Sequence, residues 1–245
     1  MSLIAEMHGG VAYGIFSKTL DSAFVEAAGL AGLNFIIIDT EHGTTNPETL
    51  HNHVRASRLT AMHPIIRVKG VDAHAISSAL DAGAAGVQVP NINTAEQARA
   101  AVDAARFYPV GNRGICRFVR AAKFGDQDKA GYFEEANQAV VVLQVEGLEG
   151  VRNLDAILDV PGFDILFIGP YDLSQSVGKP GDVDAPEVVT LMREIAEKSK
   201  AKGVLLGAFC DTKENAVFLK KEGFNYIAYS VDINIFLEAI KKLIV

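Results

Sequence analysis

Two acidic residues, Glu146 and Asp172, each follow an apolar run that is typical of a buried strand. The runs are consecutive, so the two carboxylates would lie close together if the strands are neighbours in one sheet. No histidine or cysteine follows residue 74 apart from Cys116 and Cys210. Two carboxylates with water are a usual ligand set for Mg2+ or Mn2+, so the pattern favours an all-oxygen site over a zinc site. The alternative is that each acid caps the helix that follows it.

His42 is the histidine whose position suits proton transfer. It lies just beyond the apolar run that ends at Asp39, beside acids, and no other histidine has that position. An imidazole with a carboxylate partner can exchange a proton near neutral pH. Asp39, or Asp81 farther along the chain, could hold its tautomer. The alternative is a loop histidine that bonds only to the backbone.

Arg67 and Lys69 bring positive charge to the third apolar run, PIIRVKG. A buried guanidinium must have an anion, so Arg67 binds either a ligand carboxylate, which we favour, or Glu41 or another acid of the sheet. Lys69 indicates a different chemistry, because a desolvated lysine can form a Schiff base with a ketone. The alternative for Lys69 is a solvated strand end.

The segment GPYDLS, residues 169–174, joins a predicted strand to a predicted helix. The main-chain amides of Tyr171 and Asp172 would point forward from the start of that helix. A carboxylate binds favourably at such a position, because the first amides of a helix have no partner within it.

These residues require a scaffold that brings the ends of several strands together. Apolar, β-branched runs alternate with helical patterns along all 245 residues. Eight such units, of about 31 residues each, match a (β/α)8 TIM barrel, whose active sites lie at the carboxyl ends of the strands. The sequence therefore predicts an α/β barrel in one domain, residues 1–245. The predicted strands are 11–17, 35–43, 64–70, 85–92, 139–147, 164–172, 203–209 and 225–232, and helices are predicted at 19–30, 47–59, 94–107, 149–159, 187–202 and 212–222.

Two segments depart from a plain repeat of strand and helix. Between the fourth and fifth strands lies an inserted segment, about residues 106–126, which is basic until Asp126. We expect it near the active-site mouth, where it binds an acidic or hydroxylated substrate; the alternative is that it contacts another subunit or forms a solvated face. The C-terminal stretch has an apolar stripe wider than a surface helix needs, so it should dock on the barrel or on a neighbouring subunit. The stripe consists of Ile233, Phe236, Leu237, Ile240, Leu243 and Ile244.

The composition argues against several classes of partner. The formal net charge is −7 at pH 7, so the chain as a whole repels nucleic acid and anionic lipid. The two cysteines have no CxxC spacing. The apolar runs are far shorter than the roughly 20 residues that cross a bilayer. We therefore expect a cytoplasmic protein with no nucleic-acid or membrane partner.

Four strings, FIIIDTEHG, PIIRVKG, VVVLQVEG and FIGPYDLS, occur in this order, with Arg113–Gly114 between the second and third. Together they resemble the motifs of the HpcH/HpaI family of metal-dependent (class II) pyruvate aldolases. The resemblance covers nearly the whole chain. It implies a (β/α)8 barrel that exchanges its last helix within a dimer, and a homo-hexamer built as a trimer of dimers.

The resemblance also implies how a metal and a substrate would be held. Glu146 and Asp172 would be the ligands of a divalent metal, Mg2+, Mn2+ or Co2+. Gln144 would contact the substrate nearby, and Gly169, Tyr171 and Asp172 would complete its binding site. Tyr171 stands where the family often has Ala or Ser, so the shape of the pocket, and with it the second substrate, should differ.

The implied catalytic residues are Arg67, over the pyruvate carbonyl and enolate oxygen, and His42 as the base, supported by Asp39 and Asp81. The implied reaction is reversible cleavage of a 4-hydroxy-2-oxo acid, of the 2-keto-3-deoxy acid type, to pyruvate and an aldehyde through a metal-bound enolate. Alternatives on the same site are citrate-type synthesis and decarboxylation of an oxo acid such as oxaloacetate. A Schiff-base aldolase that uses Lys69 and a non-catalytic barrel that binds a keto acid are further alternatives.

Overall fold

The computed structural model describes residues 1–244, and Val245, the last residue of the predicted domain, lies outside the described residues. Eight parallel strands close into one barrel, in which each strand pairs with the next along the chain and the last pairs with the first. Each strand overlaps a predicted run, so the predicted (β/α)8 TIM barrel is confirmed. The strands are β1 (Ala12–Ser17), β2 (Phe35–Asp39), β3 (His63–Arg67), β4 (Gly86–Val89), β5 (Val140–Val145), β6 (Ile165–Ile168), β7 (Leu205–Cys210) and β8 (Tyr226–Val231).

Helices connect the strands and surround the barrel. Several begin where a side chain accepts a hydrogen bond from the first turn, as Asp21, Asn46 and Thr94 do. The predicted helix 149–159 forms as two short helices, and the first helix has no counterpart among the predicted elements. Within residues 1–244 no helix combines the length and the apolarity needed to cross a membrane. The helices are α1 (Leu3–Gly9), α2 (Ser22–Leu30), α3 (Pro47–Ser57), α4 (Ala73–Asp81), α5 (Ala95–Ala105), α6 (Lys129–Ala136), α7 (Leu148–Arg152), α8 (Leu154–Leu158), α9 (Pro170–Ser176), α10 (Pro186–Ala201), α11 (Lys213–Lys221) and α12 (Asp232–Lys241), with a 3-10 helix at Arg120–Gly125.

Large side chains fill the inside of the barrel. The rings of Phe35 and Tyr226 stack with centroids 3.8 Å apart. This layer requires glycine on the strands beside it, because a Cβ at Gly14 would lie 2.3 Å from the Phe35 ring and one at Gly207 would lie 2.7 Å from the Tyr226 ring. Helix α1 packs two buried side chains against the same cluster. The interior is therefore a packed core.

Strand register brings polar residues to one level at the carboxyl ends. Asp39 of β2 lies opposite Arg67 of β3, and Arg67 lies opposite Gln88 of β4. Gln144 lies near the end of β5, and Glu146 directly follows that strand. Strand β6 pairs with β5 at this point. Because all strands are parallel, these side chains share the same rim of the barrel.

The start of the inserted segment is fixed at the amino-terminal end of the barrel. The guanidinium of Arg106 is buried and donates to the carbonyl oxygens of Asn137 and Ala139, which precede β5. It also donates to the carbonyl oxygen of Gly162 and, at 2.8 Å, to the carboxylate of Asp164, both of which precede β6. One side chain thus ties the insert to the start of two strands.

A second arginine of the insert confirms this placement. Arg113 forms an ion pair with Asp81, the last residue of α4. Helices of such a barrel run antiparallel to the strands, so the end of α4 lies at the amino-terminal end of the barrel. Within one chain these contacts hold Arg106 and Arg113 at that end of the barrel, and a position of the insert near the active-site mouth stays a prediction.

The apolar stripe of the C-terminal helix is exposed in the single chain. Ile233, Phe236 and Leu237 are about half exposed, and Phe236 packs edge-on against Phe24 of α2 at 5.8 Å between ring centroids. The helix therefore docks on the barrel along one edge and leaves most of the stripe uncovered. Its exchange between subunits stays a prediction.

The contacts of Arg106 predict a large and specific loss of stability on substitution. Arg106→Lys should lower the free energy of unfolding by about 2–4 kcal/mol, because one ammonium cannot satisfy the acceptors that the guanidinium holds. Urea unfolding monitored by circular dichroism measures this loss. The matched control is Arg99→Lys on the exposed face of α5, which should change stability by less than about 0.5 kcal/mol. Equal effects of the two substitutions would contradict the anchoring role.

Candidate active site

A buried ion pair joins the ends of β2 and β3. The Arg67 guanidinium donates to both carboxylate oxygens of Asp39, at 2.9 and 2.8 Å, and its third nitrogen is 3.1 Å from Glu41. Burial alone would raise the pKa of Asp39, but the Arg67 guanidinium holds it below its ordinary value. The anion of Arg67 is thus supplied by the chain, so the ligand carboxylate that we favoured from the sequence is not needed to neutralise it.

His42 lies at the outer edge of this network. Its side chain is 64% exposed, and Nε2 is 3.9 Å from the carboxylate of Glu41. Asp39 accepts a hydrogen bond from the main-chain amide of His42 at 3.2 Å, so it positions the loop and not the imidazole. Asp81 lies at the opposite end of the barrel, paired with Arg113. Within one chain, therefore, the structure does not bring Asp81 to His42, and Glu41 is the acid beside the ring.

Glu146 lies at the end of β5 with its carboxylate fixed by hydrogen bonds. One oxygen accepts from the main-chain amide of Asn91 at 2.9 Å, and the other accepts from the side-chain amide of Gln144. Gln144 is oriented in turn by Gln88, which donates to it at 2.6 Å. A Cβ at Gly169 would lie 2.5 Å from the Glu146 carboxylate, so a larger residue there would displace that carboxylate. These contacts bring the end of β6 directly beside the carboxylate.

The charge of Glu146 has no cationic partner. Among residues 1–244, neither Glu146 nor Asp172 forms an ion pair with a lysine, arginine or histidine. Burial raises the pKa of Glu146 to about 7, and the nearby charges of Asp172 and Glu41 add to the rise, while two hydrogen bonds oppose it. A hard cation between the carboxylates would relieve this repulsion, so the donor set fits Mg2+ or Mn2+. The described chain has no group of three or more His, Cys, Asp or Glu side chains around one point, so further ligands would be neutral oxygens.

Helix α9 begins at Pro170, immediately after β6, and presents the next two residues to the mouth. Asp172 lies in its first turn with an exposed side chain. The hydroxyl of Tyr171 donates to Asp211, and this contact raises the pKa of Tyr171 to about 12. The Tyr171 ring packs edge-on against Phe209, with centroids 5.9 Å apart. Tyr171 therefore forms a wall of the mouth, and its hydroxyl is already engaged.

Lys69, the alternative nucleophile, lies beyond the end of β3 with an exposed side chain. A lysine that forms a Schiff base needs burial or a neighbouring cation to lose its proton near neutral pH. The residues that line the cavity at the mouth, all within the described chain, do not include Lys69. This geometry does not favour the Schiff-base alternative.

A cavity of about 270 Å³ opens at the carboxyl ends of the strands. Arg67, Gln144 and Asp172 line it together with His42, and the Arg67 guanidinium lies 4.7 Å from the centroid of the Phe16 ring. The lining also contains Lys18 and apolar side chains that belong to none of the candidate residues named from the sequence. Lys18 directly follows the predicted strand 11–17, so the same strand-end rule would have found it. The sequence does not distinguish the apolar residues, because strand positions in the core and strand positions at the cavity both have apolar side chains. They are Phe16, Phe167, Phe209 and Val231.

Comparison with known proteins shows extensive similarity. The sequence profile described as HpcH/HpaI aldolase/citrate lyase matches residues 12–239. The chain is 34% identical over 238 residues to 2-keto-3-deoxy-L-rhamnonate aldolase of Klebsiella pneumoniae, covering 96% of this chain and 88% of that protein. It is 33% identical over 233 residues to 2-dehydro-3,6-dideoxy-6-sulfogluconate aldolase of Pseudomonas putida, covering 95% and 91%. An HpcH/HpaI aldolase/citrate lyase family protein from Burkholderia cenocepacia superimposes with a TM-score of 0.93 at 31% identity, covering 98% and 96% of the two chains.

The raised pKa of Glu146 predicts how pH affects stability without metal. Between pH 4.5 and about 7 the folded protein keeps a proton on Glu146 that the unfolded chain has released. The free energy of unfolding therefore falls as pH rises through this window, by about 3 kcal/mol in total from this residue. Urea unfolding in chelator at pH 4 and pH 8 should show this extra fall in the wild type relative to Glu146→Gln. Parallel pH profiles for the two proteins would contradict the assignment.

Proposed function

The chain belongs to the HpcH/HpaI aldolase/citrate lyase family, and we propose that its mouth catalyses reversible cleavage of a 4-hydroxy-2-oxo acid to pyruvate and an aldehyde. The observation that carries this proposal is the pair of carboxylates, Glu146 and Asp172, without a cationic partner in the described chain and beside a cavity lined by Arg67. The aldolase names of the similar proteins support the same reaction.

The acid pair and the adjacent amides would bind the 2-oxo acid. Glu146 and Asp172 would hold a divalent metal, Mg2+, Mn2+ or Co2+, which when bound would supply Lewis-acid polarisation of the oxo group. Gln144 lies against Glu146 and keeps that carboxylate in one orientation. The first main-chain amides of α9, from Tyr171 and Asp172, have no acceptor within their helix and can receive the substrate carboxylate.

Arg67 would stabilise the negative charge that develops on the oxo oxygen. Asp39 engages Nε and one terminal nitrogen of the guanidinium, and Glu41 lies 3.1 Å from the other. A guanidinium has five N–H groups, so hydrogens on both terminal nitrogens remain for a ligand in the cavity. Because Asp39 fixes the plane of the guanidinium, these donors are held in place before the reaction begins.

His42 would transfer the proton. In the cleavage direction a base removes the proton of the 4-hydroxyl group, the C3–C4 bond breaks to release the aldehyde, and the three-carbon enolate takes up a proton to become pyruvate. A histidine can perform both transfers near neutral pH. His42 lines the cavity beside Glu41, where it could accept the proton and return it.

The family relationship also supports a homo-oligomer, a hexamer built as a trimer of dimers. The uncovered stripe of α12 is consistent with burial against a second copy, because a contiguous apolar face of this kind is unusual on an isolated protein. In that assembly the basic insert at the amino-terminal end of one barrel would be available for contact with another subunit.

The metal requirement tests the proposed function directly. With Mn2+ or Mg2+ in D2O, the wild type should exchange the methyl protons of pyruvate, as followed by proton NMR, and chelation should stop the exchange. Glu146→Gln and Asp172→Asn should each reduce the exchange rate at least about 100-fold. Asp172→Asn should leave the melting temperature unchanged, because its side chain is exposed.

The matched control for these variants is Asp184→Asn, which removes another exposed acid outside the residues that line the mouth and should retain exchange. Calorimetric titration with Mn2+ should show binding to the wild type and weaker binding to both site variants. Exchange that continues at the full rate after exhaustive chelation would exclude the proposed reaction.

Arg67 predicts a separate effect. Arg67→Ala would leave the charge of Asp39 buried without a partner, at a cost of about 3–5 kcal/mol in stability, so Arg67→Lys is the sharper variant. It keeps one charge beside Asp39 but loses the two-point contact, and kcat for methyl exchange should fall by about 10²–10³-fold. Exchange kinetics combined with thermal unfolding separate the two effects. Wild-type kcat in a folded Arg67→Lys protein would remove Arg67 from the mechanism.

A further inference from the structure

Gln88 of β4 is a buried glutamine that has no part in the proposed reaction so far. Its strand lies between β3 and β5, and Gln88 lies opposite Arg67 on one side and opposite Val142 on the other. Val142 belongs to the packed cluster inside the barrel. Gln144, two residues farther along β5, therefore has its side chain on the same inner face. The amides of Gln88 and Gln144 thus both face inward, at the rim where the packed core ends.

These two amides form a directed chain of hydrogen bonds that ends on Glu146. Nε2 of Gln88 donates to Oε1 of Gln144 at 2.6 Å, and Nε2 of Gln144 donates to Oε2 of Glu146. The three residues are buried, with exposed fractions of 0%, 2% and 7% in that order. Since they are shielded from water, the direction of each amide is set by its neighbours in the protein.

Stability alone does not explain a glutamine at position 88. Within residues 1–244 its Oε1 is buried and has no hydrogen-bond partner, and the side-chain hydrogen bond that these residues give it goes to Gln144. A buried acceptor without a partner lowers stability, and an apolar side chain of similar shape would avoid that loss. The contact that Gln88 does make holds the oxygen of Gln144, so that the N–H groups of Gln144 face Glu146.

Without this contact the Gln144 amide would be free to turn over. An amide has an oxygen on one side and two N–H groups on the other. After such a turn the Gln144 oxygen would face the Glu146 carboxylate, and two hydrogen-bond acceptors in contact repel each other. Glu146 would keep the main-chain donor of Asn91 but would lose its second hydrogen bond. The carboxylate would then no longer be fixed at both oxygens.

We propose that Gln88 is a positioning residue, which acts through Gln144 to hold the Glu146 carboxylate in the orientation that binds the divalent metal. This inference rests on the proposed function, because it concerns a metal ligand of the same site. Gln88 is not among the described residues that line the cavity, so its effect is indirect. Residues that orient a metal ligand typically contribute about 10–100-fold to metal affinity.

Gln88→Met tests the proposal, because it removes the donor and keeps the length of the side chain. Calorimetric titration of the metal-free protein should give a Kd for Mn2+ about tenfold higher than that of the wild type. The electron paramagnetic resonance spectrum of the bound Mn2+ should also change, since its splitting depends on the arrangement of the ligands. The Mn2+ concentration for half-maximal exchange of the pyruvate methyl protons should rise by a similar factor, and the maximal rate should fall by less.

Ser199→Ala is the matched control, because it also removes a buried hydrogen bond, from the Ser199 hydroxyl to the carbonyl oxygen of Ile195 on α10 at 2.8 Å. It should change the Kd for Mn2+ less than twofold. Equal weakening of Mn2+ binding in the two variants would mean that Gln88 serves only the stability of the fold, and would overturn the proposal. An unchanged Kd and spectrum in a folded Gln88→Met protein would overturn it as well.

A double-mutant cycle shows whether Gln88 acts through Gln144. Gln144→Met alone should weaken Mn2+ binding. Addition of Gln88→Met to that variant should weaken binding less than twofold further, because the amide that Gln88 orients is then absent. Full and independent losses from the two substitutions would mean that Gln88 acts by another route, and would overturn the proposal.

The failure of this inference differs from a failure of the proposed function. If the wild type binds Mn2+ but does not exchange the methyl protons of pyruvate, the aldolase assignment fails, while a higher Kd in Gln88→Met would still support the role of Gln88 toward the metal. If the wild type does not bind Mn2+, both fail. If binding and exchange proceed but Gln88→Met binds Mn2+ as tightly as the wild type does, only the role of Gln88 is overturned.

Discussion

The bidentate ion pair between Arg67 and Asp39 is the interaction on which the mouth of the barrel depends. It lies at the end of two paired strands, with Asp39 fully buried, so neither partner can be removed without leaving a charge in a poorly solvated position. Asp39 also accepts hydrogen bonds from the main-chain amides of Glu41 and His42. One carboxylate thus orients the guanidinium, shapes the loop that carries the imidazole and forms an ion pair with Lys18.

At the ends of β5 and β6, in contrast, negative charge is not balanced by basic side chains. Glu146 and Asp172 have no cationic partner in residues 1–244, and burial with mutual repulsion raises the pKa of Glu146 to about 7. A fold selected only for stability would place a basic or neutral group there. The hydrogen bonds from Asn91 and Gln144 instead hold the carboxylate in one orientation. This arrangement lowers the stability of the folded protein, which is consistent with a position that binds a cation.

The strand-end rule of parallel barrels explains how much of this arrangement the sequence could predict. Glu146 and Arg67 follow apolar runs, and the closed barrel necessarily brings such positions to one rim. The same rule does not specify partners, so the sequence favours a ligand carboxylate as the anion of Arg67, whereas the structure pairs Arg67 with Asp39. Asp81, which the sequence offers as a partner of His42, ends a helix, and within one chain the helix ends lie at the opposite end of the barrel. The place of the insert depends on the buried contacts of Arg106, which charge composition does not reveal.

Asp232 links the turn after β1 to the uncovered face of the last helix. Its carboxylate holds the turn that carries Lys18, and its backbone begins α12. The exposed stripe of that helix starts at the next residue, Ile233. Because one buried residue serves both, the packing of α12 and the position of Lys18 are mechanically coupled. Burial of the stripe against a second copy would therefore stabilise the turn after β1, while the Arg67–Asp39 pair fixes the ends of β2 and β3 within the chain itself.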